Sequence, residues 1–210
     1  WEFDPVPLTW SQLSIANPPA ARLRHHGVFT PTAIFFFGGA VNGVKTSELL
    51  SLAPARPIAV NAFSQSPGPF APGTLISIYG TDLKPPSSSE AAILFASPTQ
   101  LNLRIPENMP LGPATLANAP ITIVERAPGL FPIGFRIEDI VVLFATGANE
   151  SVPAAVSLTT SGGEAELLYA GPAPGVPGVM QINARIPGAA TATVTLRVGA
   201  AETTSTITIQ

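Results

Sequence analysis

"QLNLRIP" occupies residues 100–106 and "QINARIP" residues 181–187, so Gln, Asn, Arg, Ile and Pro recur in register 81 positions apart. In an extended strand, successive side chains point to opposite faces. Gln100, Asn102 and Arg104 then oppose Leu101, Leu103 and Ile105, while Gln181, Asn183 and Arg185 oppose Ile182, Ala184 and Ile186. The apolar side belongs to a core, and the polar side meets solvent or a neighbour. Pro106 and Pro187 end each strand, because proline supplies no ladder donor.

The repetition extends outward from the heptads in the same order. "GTLISIYGTD" (73–82) aligns with "EDIVVLFATG" (138–147), and "ILFASP" (93–98) with "LLYAGP" (167–172). Downstream of the first heptad, "APITIVERAPG" takes the place that "TSTITIQ" takes after the second. Four ordered matches indicate an internal duplication of roughly 60 to 80 residues per copy, long enough for one β-sandwich unit each. Near the C-terminus, Ala192, Val194, Leu196 and Val198 alternate with Thr191, Thr193, Thr195 and Arg197, and Gly199 then turns the chain into a strand carrying Ile207 and Ile209. This is a hairpin with one dry and one wet face.

Composition agrees with an all-β chain. Charged residues make up 11% of 210, against about 25% in ordinary domains, and Pro (24) and Gly (18) punctuate the sequence throughout. No window offers the uninterrupted periodic run of good helix formers that a long helix needs. Cys is absent, which removes disulfides, thiolate metal sites and Cys nucleophiles. A net charge of −3 with scattered basic residues leaves no electrostatic footprint for nucleic acid. The longest nearly apolar runs, "AIFFFGGAV" and "IVVLFATGA", are about half the roughly 20 residues a spanning helix needs. A chain that starts at Trp1 without a signal peptide reads as a processed chain or a fragment.

Residues 1–52 differ from the rest and hold both Trp and both His residues. Trp10, Pro19, Arg22, His25, the strand at 33–37, the pair Gly38 and Gly39, and Glu48 followed by Leu49 together resemble one Kelch repeat. That resemblance implies a propeller blade, which buries its faces only against neighbours. "APGTLISIYGTDL" resembles the opening of Ig-like modules of the IPT/TIG sort. Residues 58–210 as a whole resemble an uncharacterised domain family found at the C-termini of large secreted proteins of Solibacter-type Acidobacteria. The resemblance is carried by "VNAFS", "PGPFAPGTLISIYGTDL", "LFASPTQLNLRIP", "APGLF" and "LLYAGPAPGVPGVMQINARIP". It implies a secreted, surface-associated context and supplies no catalytic residues. Family members carry longer stretches where "KPPSSSE" and "PIGFR" stand here. The abruptness favours ordered segments joined across absent loops over a merely abbreviated member.

The expected fold is therefore all-β: tandem Ig-like β-sandwiches from an internal duplication (residues 53–130 and 131–210) behind a Kelch-like β-sheet segment (residues 1–52). Candidate chemistry is sparse. His25 and His26 are the only imidazoles and, as strand neighbours, would face opposite sides. Glu164 and Glu166 would share a strand face without the turn or third carboxylate of a calcium loop. Glu138 and Asp139 fit a turn, and no glycine cluster matches a phosphate or dinucleotide loop. No catalytic, cofactor-binding or metal residue is assigned.

The remaining candidate is a surface-contact ladder of Gln100, Asn102, Arg104, Gln181, Asn183 and Arg185. Two readings apply: a ligand-binding stripe, or a solvated face whose Arg pairs across strands to a carboxylate such as Glu125 or Glu202. The expected function is a non-catalytic extracellular structural or adhesive module, in its sharper form a self-assembling fibre subunit that pairs through its terminal Thr-rich strands. The alternative is a carbohydrate- or protein-binding module using aromatics such as Trp1, Trp10 and Tyr169. Expected partners are other copies of the chain or cell-surface proteins and glycans, with no nucleic acid and no membrane span.

Overall fold

The computed structural model describes residues 2–4, 9–11, 20–29, 34–52, 57–80, 83–87, 91–149, 152–186, 188 and 190–210. Among them every regular element is a strand. Accordingly, no helix among them is long and apolar enough to cross a membrane.

In the N-terminal segment, β1 (Glu2–Asp4) pairs with β2 (Thr9–Ser11). β3 (His26–Phe29), β4 (Ile34–Phe37) and β7 (Leu49–Leu52) form a three-stranded antiparallel sheet, and β5 (Ala40–Val41) pairs with β6 (Val44–Lys45). The Arg22 guanidinium donates to Glu48 at 3.1 Å and to the Gly38 carbonyl at 3.4 Å. Gly39, with φ +91°, would place a Cβ 2.7 Å from the Leu23 carbonyl, so only glycine fits there. Trp1 and Pro19 lie outside the described residues, and of Trp10 only its strand is described.

The strands of the first sandwich unit are β8 (Ile58–Asn61), β9 (Leu75–Tyr79), β10 (Ala92–Ala96), β11 (Gln100–Arg104), β12 (Gly112–Leu116) and β13 (Ala119–Ile123). A sheet ordered β10-β11-β9-β8 is set against the hairpin β12-β13. Alternation puts Ile76, Ile78, Leu101 and Leu103 on the dry face of the sheet, where they meet Leu116, Ile121 and Ile123 of the hairpin and Phe70 of the connector. Each such fully buried side chain contributes about 1.5–3 kcal/mol through loss of water contact.

The second unit repeats the plan and adds to it. β14 (Gly129–Leu130), β15 (Ile133–Ile137), β16 (Ile140–Thr146), β19 (Glu166–Pro172) and β20 (Val179–Arg185) make one layer, ordered β15-β16-β20-β19 with β14 beside β16. β17 (Val156–Thr160), β18 (Gly163–Glu164), β21 (Thr191–Val198) and β22 (Ala201–Ile209) make the other, ordered β18-β17-β21-β22. β15 joins the layers: its start pairs in parallel with the end of β22, and the rest pairs antiparallel with β16. Leu143, Ile182, Leu158, Val194, Leu196 and Ile207 fill the space between them, all fully buried.

The duplication holds residue by residue. Gln100 stands opposite Tyr79 and Asn102 opposite Ser77; Gln181 stands opposite Phe144 and Asn183 opposite Val142. These are the pairs the alignment of 73–82 with 138–147 requires. The outer strands agree as well: Phe95 faces Asn102 and Tyr169 faces Asn183, each after a register shift that leaves one extra residue, Leu94 or Leu168. A β-bulge shared at one position by both copies is a built feature of the unit.

Candidate functional site

The polar ladder lies on the outward face of each main sheet, as strand alternation requires. Gln100, Asn102, Arg104, Gln181 and Asn183 are half-buried, and Arg185 is exposed. The amides form the same hydrogen bond twice: Gln100 Nε2 donates to Asn102 Oδ1 at 2.8 Å, and Gln181 Nε2 to Asn183 Oδ1 at 2.9 Å. Arg185 pairs across strands to a carboxylate as expected, but neither arginine meets the two carboxylates named. Arg104 reaches Glu107 at 3.4 Å, while Arg185 holds Asp139 at 2.7 Å and Glu166 at 2.8 Å. Glu125 pairs instead with its neighbour Arg126, and Glu202 with Arg197 across the terminal hairpin. Sequence alternation gives the face of a charge and leaves its partner open, because bulges and turns decide which carboxylate comes within reach.

The hydrogen bond from Arg185 holds the Asp139 carboxyl below its ordinary range, and bonds to Glu166 and then Asp139 raise the Arg185 guanidinium above its own. All three groups are at the surface, so the cluster fixes side-chain positions more than it stabilises the fold.

The two ladders differ in what covers them. Gly178 presses its backbone against Arg104 and Leu75: a Cβ there would lie 3.0 Å from Arg104 Cδ and 3.3 Å from Leu75 Cδ2. Arg104 of the first ladder thus lies in the seam with the second unit, beside the Gly73 carbonyl. Thr146, fully buried, pins the same seam. Its Oγ1 donates to the Gly178 carbonyl at 2.6 Å and accepts from the Leu75 N–H at 2.9 Å. Nearby, the Ala127 N–H donates to the Gly147 carbonyl at 3.0 Å, Asn149 Nδ2 to the Glu125 carbonyl at 2.9 Å, and Phe63 meets Phe131 edge-to-face at 5.4 Å.

Replacing Thr146 with valine keeps the shape and strands the Leu75 N–H and Gly178 carbonyl. A loss of about 2–3 kcal/mol in chemical denaturation is expected, with Thr146→Ser close to wild type. Sequence reasoning missed this residue, since a threonine after a buried strand carries no distinguishing signal.

The other candidates do not converge. His25 precedes β3 while His26 opens it; both are exposed, and the His25 ring meets the edge of Phe36 at 5.4 Å. Glu164 and Glu166, expected on one strand, belong to β18 and β19 and are exposed. Glu138 and Asp139 do form the β15–β16 turn, with Glu138 at φ +58°. Among the described residues no group of three or more His, Cys, Asp or Glu could hold a metal ion.

The terminal hairpin is covered in part: β17 covers β21, and the end of β22 at 208–210 is bonded to 132–136, while among the described residues 201–207 pair only with β21. A second free edge among the described strands is β10, where Ile93, Leu94 and Phe95 are exposed.

No family model and no curated protein matches the chain. Among solved structures it is similar to the I9–I11 tandem of titin at 14% identity and a TM-score of 0.25, covering 99% of this chain and 89% of that one.

Proposed function

We propose that the chain is a non-catalytic, extracellular structural or adhesive module, a subunit that self-assembles through sheet edges. The observation that carries the reading is β10: an outermost strand whose Ile93, Leu94 and Phe95 face water with no charged residue between Ala91 and Ala96. Protein edges of this kind are usually guarded by charge or proline, and an unguarded one invites another strand. Its bulge sets Leu94 and Phe95 side by side and enlarges the apolar surface. The pinned seam between the units supports a stiff rod over a flexible pair of beads. In the N-terminal sheet, exposed Val28, Phe37 and Leu49 favour further packing partners, as the Kelch resemblance implies. The secreted context rests on the family resemblance.

Sedimentation velocity and electron microscopy over a concentration series test the proposal. Species that grow with concentration are expected. Leu94→Lys, which guards the edge, should return the chain to monomer with its melting temperature nearly unchanged. A wild-type chain that stays monomeric at high concentration removes the reading.

A further inference from the structure

One row of side chains crosses the outward face of the second unit's main sheet: Tyr169 on β19, Asn183 on β20, Val142 on β16 and Phe135 on β15, each directly opposite the next. Three interstrand steps separate the two rings, about 14 Å at the usual strand spacing. Tyr169 and Phe135 are 40% and 43% exposed, too much for core residues. Phe144 on β16 braces Phe135 edge-to-face at 6.4 Å.

The Tyr169 ring is held flat. Its hydroxyl donates to the Pro172 carbonyl at 2.7 Å, and the ring lies over Gly171, where a Cβ would stand 3.0 Å from the phenol oxygen and 3.2 Å from Cζ. A side chain at 171 would lift the ring away. Between the rings the amide pair is polarised. Gln181 Nε2 is used by Asn183 Oδ1, so Gln181 Oε1 is left as an acceptor and Asn183 Nδ2 as a donor, neither with another hydrogen bond among the described residues. No charged side chain stands in the row, and Arg185, two residues along β20 from Asn183, is matched by Asp139 and Glu166.

We propose that this face binds a neutral oligosaccharide, with the pinned Tyr169 ring and Phe135 stacking on the apolar faces of sugar rings while Gln181 and Asn183 hydrogen-bond hydroxyls between them. A flat, immobilised ring next to a donor–acceptor pair suits a ligand whose surface alternates C–H patches and hydroxyls. It suits a protein partner less well, because aromatic residues anchor protein interfaces by filling fully desolvated pockets. Ordering the ring beforehand also lowers the entropy cost of binding.

The first unit offers no second copy of the site. Its row runs Phe95, Asn102, Ser77 and Val60, of which Ser77 and Val60 are buried, and Ser97 replaces the glycine beneath the ring. One site per chain follows. The inference does not depend on fibre formation, since a monomer would carry the platform equally well.

The test is affinity electrophoresis and titration calorimetry of the intact chain with soluble neutral polysaccharides: a mixed-linkage β-glucan, a xylan and a galactomannan. At least one should retard the protein at one site per chain. Tyr169→Ala is expected to weaken binding about tenfold or more, a difference of about 1.4 kcal/mol. Tyr169→Phe, which keeps the ring and loses its tether, should fall between, and Phe95→Ala should match wild type. Phe135→Ala serves as a second probe should Tyr169→Ala fail to fold. Unretarded migration of the protein through all three polysaccharides, or retardation that neither Tyr169→Ala nor Phe135→Ala weakens, overturns the proposal. So does a protein ligand captured through Tyr169 while the polysaccharides pass.

Discussion

Gly147→Ala is expected to destabilise the protein by about 2–5 kcal/mol through one added methyl group. Gly147 follows β16 with φ +86°, and a Cβ built there falls within 2.2 Å of the Ala127 carbonyl oxygen and 3.2 Å of Thr74 Oγ1. Two costs add. The left-handed conformation penalises an L side chain by about 1–2 kcal/mol, and forcing backbone apart in a packed seam adds about 1–3 kcal/mol. The obstruction is main chain, which cannot swing aside as a long side chain would.

Gly163 is the internal control. It opens β18 just after the β17–β18 turn, at φ +109° with open space where a Cβ would stand, so alanine there should cost only the conformational part, about 1–2 kcal/mol. Urea denaturation of both variants checks the contrast. Equal losses would show that backbone strain alone matters and that the seam yields freely.

The second large effect concerns Leu103. Its counterpart in the second heptad is Ala184, so Leu103→Ala merely makes one copy resemble the other. A loss of about 3 kcal/mol is nonetheless expected, within the usual range for truncating a fully buried leucine. The reason is local volume. The second unit adds β17 to one layer, and its fully buried Leu158 belongs to the same core as Ala184. Among the described residues the first unit has no strand corresponding to β17, and Leu83 and Met109 only partly close its core. Leu103 supplies the bulk itself. The reciprocal Ala184→Leu should overpack the second core by about 1–3 kcal/mol. Thermal and urea unfolding of the pair would measure both, and a harmless Leu103→Ala would mean that the first core closes without that leucine.

The sequence was most informative where periodicity and repetition agree. Alternation in "QLNLRIP" and "QINARIP" separates a wet from a dry face, and the two copies align so firmly that the strand register follows from the letters. The bulge was legible in principle, because "ILF" and "LLY" place three large apolar residues in a row where strict alternation allows two. Long-range choices were not legible. Nothing in the letters of β22 shows that β15 docks on its end, which closes the last residues of the expected open edge. Nor does local pattern reveal that Arg185 also holds Asp139, since the β15–β16 turn brings that carboxylate in, whereas Glu166 simply stands opposite Arg185 in the register. The flat Tyr169 ring could have been suspected from "YAGP": a glycine two residues after an aromatic on a strand leaves room for the ring to fold down.

The parallel docking of β15 on the end of β22 has a mechanical side. The Thr208 N–H donates to Pro132, the Gln210 N–H to Gly134, and the Arg136 N–H to Gln210, so three bonds lie side by side along the last residues. Tension applied at Gln210 is shared by all three in shear, whereas a hairpin pulled apart at its open end surrenders its bonds one after another. The element that sews the two layers together is therefore also the clasp that resists extension.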